Sequence, residues 1–150
     1  MQSYIKDIEN NFSFLTKFGF TISFPQSAEI DATAIFTCPS FKMRLLLYHQ
    51  ELYLEFSKTT SNECIDEDRS WVAFCWLIEY LSGNNNYRTD FFKNEINYDE
   101  RIKKQIHSIS DELKIYISRI MEFFDGKDYE KQFIELRSYI FNRLKNCGLL

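Results

Sequence analysis

Two histidines, four cysteines and 22 acidic side chains are the groups in this 150-residue chain with the means for covalent, metal or acid–base chemistry. Nucleophilic catalysis needs a nucleophile, a base and a third group that orients the base. His49 falls in a predicted hairpin turn and His107 inside a long predicted helix, and neither has a sequence neighbour placed to orient it. His107 therefore reads as an ordinary helix residue. Cys38, Cys64, Cys75 and Cys147 stand 26, 11 and 72 positions apart, with no Cys-x-x-Cys and no histidine at ligand spacing, which argues against a zinc site. An even count permits two disulfides, but the plainer expectation is four reduced thiols packed as small apolar groups. Phosphate cradles need clustered glycine, and Gly19, Gly83, Gly126 and Gly148 each stand alone at the end of a predicted helix. Paired carboxylates such as Asp99-Glu100 and Asp111-Glu112 lie on or at helices, where they complement the dipole or form i,i+4 pairs. No catalytic residue, cofactor or metal ion is expected, and the chain reads as a non-enzyme. An enzyme built from Glu and Tyr in a pocket between sheet and helices is the competing possibility.

Charge is what remains. Lys plus Arg is 18 and Asp plus Glu 22, a net charge of −4, and a general nucleic-acid binder would carry the opposite sign. Residues 1–68 hold ten acids against five bases, whereas 69–150 are nearly balanced. Glu63, Asp66, Glu67 and Asp68 crowd one polar loop, and the simplest account is a solvated loop leading into a helix N-terminus. The sharper one is a docking surface for a basic protein, in which Glu51, Tyr53 and Glu55 on one strand face join that loop. Tyrosine between carboxylates suits a face that is wet when alone, anchored by an aromatic when bound, and steered by charge.

The elements that must position these groups follow from hydrophobic period. Ile5, Ile8, Phe12 and Leu15 form one stripe of a helix over 3–18, stopped by Gly19. Phe20–Phe24 alternates with period two. Ala32–Cys38 and Phe41–Tyr48 are strands around a Pro39-Ser40 turn, and Glu51–Ser57 follows a turn at His49-Gln50. Leu52, Leu54 and Phe56 then share one face, and Glu51, Tyr53 and Glu55 the other. A helix over 69–81, capped by Asp68 or Ser70, carries Trp71, Phe74, Ile78 and Leu81. Residues 87–97 show no period. The longest helix starts at Asp99 and runs to Phe124 on Ile102, Ile106, Ile109, Leu113, Ile117 or Tyr116, and Ile120; the last spans 128–146 with Phe133, Leu136, Ile140 and Leu144 buried. The sum is a single α+β domain over 1–150: an N-terminal helix, an antiparallel meander of three to four strands, then three helices packed on the sheet. With 26 aromatics and only four Gly and two Pro, long elements are favoured over a many-turned all-β fold. The N-terminus is polar and no run of 18 uncharged apolar residues occurs, so neither a secretory signal nor a membrane span is expected and the compartment implied is the cytoplasm.

Certain segments carry a likeness. Phe14-Leu15…Phe18-Gly19-Phe20, Ala34-Ile35-Phe36, the hairpin Leu47-Tyr48-His49-Gln50-Glu51-Leu52-Tyr53-Leu54 and Phe124-Asp125-Gly126-Lys127 give a layout over most of the chain that resembles the small immunity proteins of bacterial toxin systems, especially those paired with contact-dependent growth inhibition toxins. The resemblance implies a non-catalytic inhibitor that binds the toxic C-terminal domain of a cognate toxin, commonly a nuclease and so a basic partner. It supplies no functional residues to carry over. The implied partners are that protein domain, with no nucleic acid, no membrane, and a monomer or weak homodimer as the state of the chain. A helical dimerisation or adaptor module, pairing through the 99–124 and 128–146 helices, is the alternative.

Overall fold

The alternating stretches after Gly19 assemble into one antiparallel sheet whose five strands lie in sequence order: β1 (Thr21–Ser23), β2 (Ala34–Thr37), β3 (Phe41–Tyr48), β4 (Glu51–Lys58) and β5 (Val72–Ala73). These come from a computed structural model that describes residues 4–26, 33–58, 71–85 and 87–150. Ahead of the sheet stands α1 (Ile5–Phe12), which tightens into a 3₁₀ segment over Ser13–Phe18, and behind it follow α2 (Phe74–Ser82), α3 (Tyr98–Asp125) and α4 (Tyr129–Asn146). The fold is α+β, with helices covering one face of the meander. Among the described residues no helix is long and apolar enough to cross a membrane.

Pairing register sorts the strand residues onto two faces. Phe36, Met43, Phe56 and Val72 line up across β2 to β5, as do Ala34, Leu45 and Leu54 across β2 to β4; all seven are buried. On this inner face the aromatic rings pack in two groups, Phe12 with Phe36, and Phe20, Phe41, Phe56 and Phe124 together. Phe41 stacks on Phe124 of α3 at 4.4 Å between centroids, Phe12 of α1 meets Phe36 at 4.9 Å, and Phe20 meets Phe41 edge-on at 5.2 Å. Helix α3 supplies the stripe that was read from its period, Ile102, Ile106, Ile109, Leu113, Ile117, Ile120 and Phe124, all buried. Two polar side chains, Gln105 and Ser110, are buried with them. Ser110 donates to the Asn11 carbonyl at 2.5 Å and so ties α3 to α1.

Two helix starts differ from the sequence reading. The helix expected over 69–81 begins at Phe74, because Val72 and Ala73 first pair with Phe56 and Glu55 as the fifth strand. Trp71, Phe74, Ile78 and Leu81 have helical spacing, yet Trp71 precedes the helix; Asp68 and Ser70, its expected caps, lie outside the described residues, and Ala73 occupies the cap position without a side-chain bond. The N-cap of α3 is Asn97, whose side chain accepts from the Glu100 amide at 3.1 Å, while Asp99 sits in the first turn and accepts from the Tyr4 hydroxyl at 2.5 Å. Gly126 ends α3 in an extended conformation, and it is glycine for lack of room: an added Cβ would lie 2.7 Å from the Glu122 carbonyl oxygen. Gly19, by contrast, takes φ 84 and closes its helix as expected.

Helix α4 is the least buried. Of the expected Phe133, Leu136, Ile140 and Leu144, only Leu136 is fully enclosed and the others are half-buried. Its first residue, Tyr129, packs on Phe123 and Phe124 of α3 at 5.7 Å between centroids, and toward its C-terminal end the hold is polar. Glu79 of α2, with a side chain 3% exposed, accepts from Arg143 Nε at 3.1 Å, Arg143 Nη2 at 3.3 Å and the Tyr139 hydroxyl at 3.0 Å. Glu79 is the buried member of this pair, so removing Arg143 takes from an enclosed carboxylate its nearest cation. Arg143→Leu strands the Glu79 carboxylate, 3% exposed, and should therefore lower the unfolding free energy by about 3 kcal/mol in urea titrations. The double variant Glu79→Leu/Arg143→Leu should recover more than half of that loss; an equal loss in both would mean that the pair does not hold α4.

Candidate functional site

The outer face of the sheet is where the sequence-predicted site residues can be located. Strands β3 and β4 meet through His49-Gln50, with Tyr48 opposite Glu51. Both turn residues take positive φ, 47 and 67, the two-residue conformation that matches strand twist and is normally given to Asn-Gly. That turn sets the register, and the register sets the face: Arg44 lies opposite Glu55, Leu46 opposite Tyr53 and Tyr48 opposite Glu51. Glu51, Tyr53 and Glu55 are thus brought together on the outer side of β4, as expected. Glu63, Asp66, Glu67 and Asp68 lie outside the described residues.

The carboxylates on this face already hold cations of the chain's own. Glu55 takes the Arg44 guanidinium at 2.7 Å. Trp71 flanks the pair, its ring 4.2 Å from the Arg44 guanidinium carbon and 5.5 Å from Lys42 Nζ, an arrangement that stacks a weakly hydrated cation on an aromatic face. Glu51 accepts from the Tyr53 hydroxyl and pairs with Lys93 at 3.2 Å. Those contacts shift both groups. The Tyr53 bond, and after it Lys93 and Arg101, draw the Glu51 carboxyl below its ordinary value against an opposing contribution from burial. Burial first, and then the Glu51 carboxylate, push the Tyr53 phenol up to about 12.

Between the two ion pairs lies an open depression of about 230 Å³ lined by Leu46, Leu47, Tyr48, Tyr53 and Glu55. Tyr48 is 64% exposed at its edge, and the Phe91 ring sits 5.3 Å from that of Tyr53. An aromatic and aliphatic floor rimmed by neutralised charges is what a protein-binding patch requires: area to desolvate, with polar atoms already satisfied.

The patch is held from beneath. Gln105 of α3 accepts the Leu52 amide at 2.7 Å and donates to the Gln50 carbonyl at 3.0 Å and the Phe91 carbonyl at 3.2 Å. One turn earlier Arg101 donates to the Gln50 side chain at 2.8 Å, the Phe92 carbonyl at 3.1 Å and the Lys93 carbonyl at 2.6 Å. Two adjacent α3 side chains thereby fix the hairpin turn and the 91–93 segment, which has no period of its own and includes Phe92 at φ 50. Sequence reasoning missed Arg101, Gln105, Lys93 and Trp71, since nothing along the chain couples them to β4. It also missed Arg44, for which a signal existed: a two-residue turn at 49–50 places it opposite Glu55.

A second group of polar residues lies along α3. His107 has Asn11 Oδ1 3.1 Å from Nδ1 and Asp111 Oδ2 3.1 Å from Nε2. The expectation that no sequence neighbour orients this ring is corrected, since Asp111 one turn on does so. With both ring nitrogens engaged, neither faces a hydroxyl such as that of Ser108, which lines the same surface groove. Among the described residues no group of three or more His, Cys, Asp or Glu could hold a metal ion. Cys38 is buried and Cys75 half-buried, but Cys147 is exposed, contrary to the expectation that the thiols pack inside; Cys64 lies outside the described residues.

Comparison with protein-family models, curated proteins and solved structures finds no match for this chain.

Two measurements check the construction of the patch. Gln105→Leu strands one amide and two carbonyls, so it should cost about 2–3 kcal/mol and speed hydrogen exchange at Leu52; unchanged exchange there would remove Gln105 from the role of anchor. Tyr53 ionises at about 12 folded against about 10 unfolded. Its raised value contributes stability that is complete below pH 10 and lost as pH climbs toward 12. Tyr53→Phe should flatten that decline in denaturation measured across the interval. Part of it will persist, because Tyr80, Tyr87 and Tyr139 are also shifted upward by burial.

Proposed function

We propose that the protein is a non-catalytic inhibitor that binds and neutralises a toxic protein domain, in the manner of a bacterial immunity protein, and that the outer face of the β3–β4 hairpin makes the contact. The observation that carries this reading is the open depression walled by Leu46, Tyr48 and Tyr53, with Glu55 at its rim and Glu51 bonded to the Tyr53 hydroxyl. Tyrosine is suited to such work because it buries a large ring at the loss of few rotatable bonds and keeps a hydroxyl for the wet edge. Attraction for a basic partner then comes from the net charge of −4, which acts at long range on the association rate. Glu51 and Glu55 contribute less to it than bare carboxylates would, since Lys93 and Arg44 stand beside them.

The test is co-expression with the C-terminal domain of a large secreted toxin encoded directly upstream of this gene. Growth should be arrested by the toxin domain alone and restored by the wild-type chain. Leu46→Asp and Tyr48→Ala, both outside the core, should leave the melting temperature unchanged and weaken binding by about 1–3 kcal/mol each in calorimetry. Growth arrest that the wild-type chain does not relieve would sink the inhibitor reading. Full relief and unchanged affinity in both variants would move the contact to another face.

A further inference from the structure

Helix α4 presents a second surface, on the side turned away from the body. Leu136, Tyr139 and Arg143 face α2 and α3. On the opposite side Glu130, Ile134, Ser138, Phe141 and Lys145 recur at steps of 4, 4, 3 and 4, all exposed. At 3.6 residues per turn they fall on one stripe about 22 Å long. Ile134 is 67% exposed and Phe141 57%, large apolar groups one helical repeat apart. Arg137 borders the stripe with its guanidinium 5.0 Å from the Phe133 ring.

The order of residues on this stripe is self-complementary. Two antiparallel copies crossing between Arg137 and Ser138 bring Ile134 of each against Phe141 of the other and place Glu130 of each opposite Lys145 of the other. The small Ser138 falls at the crossing, where it lets the two backbones approach. Acid at one end, base at the other and apolar residues between, symmetric about one point, is the pattern an isologous two-fold contact requires. We infer that α4 is a homodimerisation helix whose occupant is a second copy of this chain, paired antiparallel about Ser138. The contact is one helix wide, so its area lies at the small end for specific interfaces and the dissociation constant falls in the range of about 10–100 µM. It involves a helix docked on α2 and α3, and leaves the outer sheet face free for a different partner.

Sedimentation over a concentration series tests this directly, with the intact chain. The wild type should pass from monomer to dimer across that range. Ile134→Glu and Phe141→Glu should each weaken self-association more than about tenfold with unchanged circular dichroism. Lys145→Glu sets like charges opposite each other at both ends and should weaken it about fivefold. Glu130→Lys/Lys145→Glu restores opposite charges and should return the wild-type constant, a readout that does not depend on the apolar variants keeping their fold. A chain that stays monomeric up to about 500 µM, or a dimer indifferent to Ile134→Glu and Phe141→Glu, overturns the inference. A double variant no tighter than Lys145→Glu alone overturns the antiparallel register.

Discussion

The sheet has one apolar face, and burying it is the constraint from which the arrangement follows. Helix α3 meets most of that demand. Its 28 residues lay an isoleucine and phenylalanine stripe across the strands, and the stacking of Phe124 on Phe41 fixes its height against β3. Burial of this much aromatic and aliphatic surface is worth about 25 cal/mol per Å², far more than any polar contact in the molecule. Helix α1 packs beside it through Phe12 and Phe36, α2 closes the β5 end, and α4 is added outside, against α2 and α3.

Within that apolar layer the few buried polar groups act as alignment pins. Gln105 and Arg101 do not add much net stability, because each bond exchanges a bond to water. What they specify is position: their partners are main-chain atoms of Gln50, Leu52 and residues 91–93, together with the Gln50 side chain. Glu79 plays the same part for α4. The consequence is a molecule whose two exposed surfaces, the hairpin face and the α4 stripe, are each held from behind by a buried polar side chain.

Legibility in the sequence tracked how local each determinant was. The strands β3 and β4, their two-residue turn and the α3 stripe could be read because alternation and helical period are carried by neighbouring residues. The start of α2 could not: Trp71 and Phe74 have helical spacing, and it is pairing with Phe56 and Glu55, distant in sequence, that draws Val72 and Ala73 into the sheet. The 87–97 segment carries no period since its shape is imposed by Arg101 and Gln105. At the candidate site, the grouping of Glu51, Tyr53 and Glu55 on one face followed from alternation alone. Their electrostatic state did not, because a tally of charges along the chain omits which cation faces which acid. Arg44 beside Glu55 was implicit in the turn, whereas Lys93 beside Glu51 depended on a loop with no readable structure.

Gln105 grips the hairpin only by backbone atoms, the Leu52 amide and the carbonyls of Gln50 and Phe91. Every amino acid other than proline offers those same atoms, whatever its side chain. Residues on the outward side of this ribbon can therefore be exchanged over generations without loosening the clamp that shapes it. Such a lineage is free to retune what the ribbon recognises while inheriting the scaffold unchanged.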